Sequence, residues 1–111
     1  MNHTPDIILA LARIAAQTAS DISETKQTTW FPCGFASIII RPARGKFITY
    51  LKSQGIGGSN YGGGYRLSSY DVADQSPQWC QSMNVKEDAV RAAVLVLNEN
   101  GINASAESRM D

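Results

Sequence analysis

The chain has 111 residues, ten Lys+Arg against ten Asp+Glu, one His and 43% hydrophobic residues. That is one domain's length, enough to bury about two-thirds of its unfolded surface, and the apolar fraction excludes a wholly disordered chain. No apolar run approaches the ~20 residues that cross a bilayer, and the first residues lack the basic, apolar, small-residue order of a signal peptide. A cytoplasmic protein with no membrane association is therefore expected. Cys33 and Cys80 are too few for a secreted disulfide framework or a four-ligand structural zinc site, so neither a metal nor a cofactor is expected.

The zero net charge hides a segregation along the chain. Residues 1–25 carry net −2, residues 26–70 carry +6 with no acid at all, and residues 71–111 carry −4. All nine aromatics fall between Trp30 and Trp79, and seven of the nine glycines between Gly45 and Gly64. The middle third is thus basic, aromatic and Gly-rich at once, a mixture that suits an anionic, planar ligand. The same cations could instead pair across the fold with the acidic last third.

Thr4-Pro5-Asp6 predicts a helix start, with a cap, a proline at the first position and an acid in the first turn. Ile7, Ile8, Leu11, Ile14, Ala15 and Thr18 predict its buried stripe, ending near Ala19, and 20–29 reads as a polar linker. This division sets a helix and linker at 1–29 apart from a body domain at 30–111. The β-branched run Phe35–Ile40 predicts a covered strand. Pro42 then predicts a helix start, Phe47, Ile48 and Leu51 its buried face, and Gly55-Ile56 a glycine cap. Residues 57–64 read as a flexible loop, Tyr65–Tyr70 as a strand, and Gln78–Met83 as a weakly signalled strand. Asn84 with Glu87 predicts a capping box opening the last helix, Gly101-Ile102 closes it, and 103–110 alternates as a final strand.

Both halves read strand, helix, Gly-Ile, strand. Two such units predict an α+β fold, a ferredoxin-like split-βαβ sandwich preceded by the N-terminal amphipathic helix.

Chemistry-bearing features are few. Arg41, Arg44 and Lys46 place three cations at a strand-to-helix junction, where first-turn N–H groups could bind an anion jointly with the side chains. Tyr61 sits at the tip of the glycine loop, Arg66 lies on the following strand, and Arg109 could complete a basic patch. The glycine loop itself leaves a helix and enters a strand, so it is a weak phosphate cradle; a mobile lid or partner-contacting loop with Asn60 and Tyr61 at its tip is the other reading. Cys33 as a nucleophile would need a base, and the only imidazole is His3. No catalytic residue is expected.

The motifs Pro32–Ala36, Arg41–Phe47, Gln81–Met83, Lys86–Ala89 and Ser108–Asp111 together resemble small bacteriophage- and prophage-encoded proteins. The likeness covers residues 30–111 and carries over no catalytic residue. It implies a protein made in the bacterial cytoplasm that binds a host or anti-phage defence factor. Three functions are weighed: such a non-enzymatic binding protein, able also to self-associate; a module for a small phosphate-bearing ligand such as a nucleotide; and a Cys33-dependent enzyme. Zero net charge argues against strong nonspecific nucleic-acid binding.

Overall fold

A computed structural model describes residues 3–26, 34–73 and 83–110. Helix α1 spans Pro5–Lys26, strand β1 Gly34–Ile40 and helix α2 Lys46–Ser53. A short strand β2, Gly58–Ser59, turns into β3, Tyr65–Ser68, followed by the one-turn helix α3, Ser69–Val72. Helix α4, Met83–Glu99, and strand β4, Ala104–Met110, complete the chain. The fold is α+β: one four-stranded sheet in the order β2-β3-β1-β4, with every neighbouring pair antiparallel.

The core follows from strand alternation. Ala36, Ile38 and Ile40 of β1, Tyr65 and Leu67 of β3 and Ala104 of β4 join one buried cluster with the helices. α4 contributes Ala89, Val90, Ala93 and Leu97, α1 Ile8, Leu9, Ala12 and Ala16, and α2 Phe47, Ile48 and Leu51. The alanines, spaced four apart on both α1 and α4, let these two long helices pack closely. On the opposite sheet face Ser37 and Ile39 are also buried. There Arg66 of β3 reaches Glu107 of β4 at 3.4 Å, bridging over β1, whose Ile39 and Ser37 are their respective register partners.

Both glycine caps form as the sequence predicts. Ile56 donates to the Leu51 carbonyl and Gly55 to Lys52; Ile102 donates to Leu97 and Gly101 to Asn98. Gly55 and Gly101 hold φ of 69° and 80°, which lets a six-to-one bond close each helix.

Several local expectations change. The buried stripe of α1 is Ile8, Leu9, Ala12 and Ala16, while Ile7, Leu11 and Ile14 are exposed. α1 is apolar on two sides, so periodicity alone could not choose the packed one. The helix continues through the polar segment to Lys26, with Gln17 donating to Asp21 one turn on. α2 starts at Lys46, not at Pro42, because Gly45 at φ 109° interrupts the backbone; the Arg41–Pro42 peptide before it is cis. The 57–64 segment is a hairpin rather than a plain loop: β2 pairs with β3, and Asn60 and Gly64 close the turn. β3 stops at Ser68, where the Asp71 carboxylate accepts the Ser68 N–H at 2.9 Å and starts α3. α4 opens at Met83, so Asn84 is inside it, and Glu87 accepts from Ser108 at 2.9 Å and from Arg91 at 3.2 Å. Of the strand expected over Gln78–Met83, only Met83 is described, in α4. Cys33 and Cys80 lie outside the described residues.

Candidate functional site: a basic cavity at the start of α2

Three chain segments meet at the end of β1. β1 leads into the Arg41–Gly45 loop, whose Arg41 N–H donates to the Asn103 carbonyl at 3.1 Å. That bond ties the α4–β4 turn to the loop, and the start of α1 closes the third side. Between them lies a cavity of about 610 Å³. It is lined by the cations Arg41, Arg44 and Lys46, by His3, and by the apolar Ile8, Ile40, Phe47 and Ile48. Asn100 and Asn103 add polar groups to the lining, and no acid lines it among the described residues.

The two helix starts at this cavity differ. At α1 the Thr4 hydroxyl donates to the Asp6 carboxylate, which holds that carboxyl below its usual range; the Ile7 and Asp6 N–H groups add to this against a desolvation effect. The α1 start is therefore satisfied by its own acid. α2 has no such partner. Its cap is Gly45, which has no side chain, its first turn carries no acid, and Gly45–Ile48 all line the cavity. First-turn N–H groups without a cap, beside three cations, are the groups with which an anion would pair.

The ion pairs sharpen the contrast. Arg66 is paired with Glu107 and Arg91 with Glu87, whereas Arg41, Arg44 and Lys46 have no ion-pair partner among the described residues. Among the described residues, acids of the last third thus pair with the sheet cation and with Arg91, and not with the loop cations. The chemical repertoire of the cavity is positive charge, amide and apolar carbon.

Of the residues singled out in the sequence, the structure brings Arg41, Arg44 and Lys46 together. Tyr61 stands fully exposed at the hairpin tip, and Arg66 lies on the sheet face opposite the helix-packed one, paired with Glu107. Arg109 sits on β4 opposite Phe35, at the far end of β1 from the cavity. No protein family, curated protein or solved structure matches the chain.

Sequence reasoning missed His3, Asn100 and Asn103, because only tertiary folding brings the chain start and the α4–β4 turn to β1. It also missed Lys86. This lysine is 2% exposed, its Nζ donates to the Gly34 carbonyl at 2.7 Å, and it lies 5.6 Å and 5.3 Å from the Phe35 and Tyr70 ring centres. A lysine in a helix first turn normally reads as solvated, so no sequence signal marked it. Among the described residues no three His, Cys, Asp or Glu side chains gather as metal ligands, and no helix is long and apolar enough to cross a membrane.

Proposed function

We propose that this chain is a non-enzymatic binding protein that holds a small phosphate-bearing ligand in the basic cavity. The observation that carries the reading is the uncapped, acid-free start of α2, lining the cavity beside Arg41, Arg44 and Lys46, which have no ion-pair partner among the described residues. A phosphate seated there would take backbone N–H bonds and charge-assisted side-chain bonds together. The apolar lining of Ile8, Ile40, Phe47 and Ile48 favours a ligand with an organic body, such as a nucleotide, over the bare ion. The strand order supports reading the body as a ferredoxin-like split-βαβ sandwich.

Titration with inorganic phosphate and with adenosine monophosphate tests the reading by amide NMR. The Lys46, Phe47 and Ile48 N–H resonances should shift saturably, with tighter binding for the nucleotide. Shifts confined to other residues, or none at millimolar ligand, would refute it.

A second reading is a phage-type protein that binds a host or defence factor in the bacterial cytoplasm. It is favoured by the fully exposed Tyr61 and by the outward Ile7, Leu11 and Ile14 of α1. Under that reading Tyr61→Ala abolishes capture of the host protein, and Arg41→Ala/Arg44→Ala leaves capture intact.

A further inference from the structure

The sheet has two unlike edges. β2, at one, is two residues long. β4, at the other, is seven residues long, contains no proline and, among the described residues, pairs on one side only. The bond from the Arg41 N–H to the Asn103 carbonyl sets the alternation of the β1–β4 ladder. Residues 105 and 107 turn their backbone groups toward β1, and Ala104, Ala106 and Ser108 turn theirs outward. In agreement, the outward N–H of Ala104 is taken by the Asn98 side chain at 3.0 Å. The outward groups of Ala106 and Ser108 have no such partner among the described residues, and 105–108 are all exposed. A long row of unpaired backbone groups is a template for another strand.

We propose that β4 pairs antiparallel with β4 of a second copy of this chain about a two-fold axis, joining the two sheets into one. Three observations select this occupant. First, the other edge is too short to match β4, so the head-to-tail β4–β2 pairing that builds open filaments lacks length. Second, the charge order is self-complementary. Outward residues must bond one another, and the register that sets Ser108 opposite Ser108 places Glu107 opposite Arg109 in both directions. The neighbouring register, Ala106 opposite Ser108, sets Glu107 against Glu107 and is disfavoured. Third, α4 leaves a large apolar side chain beside the edge. Asn98 reaches Ala104, and Val90 and Arg91 form a small cleft with Ala106 and Ser108, so this flank of α4 overlies β4. Leu95, four residues from Arg91 and three from Asn98, lies on that flank and is 64% exposed. A second copy docked along β4 would cover it.

Sedimentation of the full chain over about a hundredfold range of concentration tests the pairing. The mass should rise toward twice the 12.0 kDa protomer. Ala106→Pro removes an outward N–H and keeps the bonds to β1, so it should sediment as a monomer with unchanged circular dichroism. A charge exchange guards against a folding defect. Arg109→Glu and Glu107→Lys each set like charges across the dyad, so each alone should be monomeric, and their equimolar mixture should recover the dimer. A wild-type chain that stays monomeric throughout, or a dimer that none of these substitutions weakens, overturns the proposal.

Discussion

A β-carbon on Gly64 would come within 2.9 Å of the Arg41 Cγ and equally close to the Ile40 carbonyl oxygen. The glycine-rich hairpin and the basic loop, which lie far apart in the sequence, therefore pack against each other, and Gly64 sets the position of a cavity-lining arginine. Its φ of 91° adds a conformational demand that few side chains meet.

Gly64→Ala should therefore destabilise the fold by more than about 1 kcal/mol and also weaken phosphate binding by displacing Arg41. Gly62→Ala is the matched control, because its φ is 93° and nothing lies within 4 Å of an added β-carbon. Chemical denaturation should show a loss in both variants. Calorimetry should show an affinity loss for Gly64→Ala alone; an equal loss in both would remove the proposed link.

Lys86 joins α4 to the first residue of β1 through its bond to the Gly34 carbonyl. Lys86→Ala leaves that carbonyl unpaired and empties the space between Phe35 and Tyr70, at a cost of about 2 kcal/mol. Lys86→Met keeps the packed stem and should recover part of the loss. Urea midpoints that match wild type in both variants would show that the lysine has no structural role.

The elements that were legible in the sequence share one property: their signal is local. Gly55-Ile56 and Gly101-Ile102 announce their caps because the bonds they make span six residues. The run Phe35–Ile40 announces a covered strand, and Phe47, Ile48 and Leu51 are the buried face of α2 as periodicity predicts. What failed depended on tertiary competition. α1 offers two apolar faces, and the alanines that fit α4 won over the larger Ile7, Leu11 and Ile14. The helix start moved from Pro42 to Lys46 because the backbone at Gly45 is outside helical space. In the cavity, Arg41, Arg44 and Lys46 were visible as a cluster. His3 and Asn103 were not, since nothing local brings residues 3 and 103 beside residue 41.

Leu97 is 1% exposed in the cluster where α1, α4 and the sheet meet. Leu97→Ala should cost about 2–5 kcal/mol, and Leu97→Asp, which buries an unpaired charge, should leave the chain unfolded. Circular dichroism melts test both, and a cooperative wild-type-like melt for Leu97→Asp would contradict the core assignment.

Burial pushes the Tyr65 phenol above its ordinary value of 10.0, with the Asp71 carboxylate adding to it; its hydroxyl donates to the Ile56 carbonyl. The folded state thus holds this proton more tightly than the unfolded chain. The contribution is complete below pH 10.0 and is lost as pH rises through and above that value. Tyr65→Phe should lose about 1 kcal/mol at neutral pH and show a shallower alkaline decline than wild type. Parallel declines in stability would assign the alkaline loss to other groups.

Under the proposed function, Arg41, Arg44 and the start of α2 hold a phosphate. The most direct measurement is calorimetry of adenosine monophosphate binding to wild type and to Arg41→Ala/Arg44→Ala at two ionic strengths. Each lost charge-assisted contact is worth about 1–3 kcal/mol, so the double variant should bind at least about tenfold more weakly. Wild-type affinity should fall as salt rises, and the variant should respond less. Equal affinity of the two proteins, with no dependence on salt, would contradict the account.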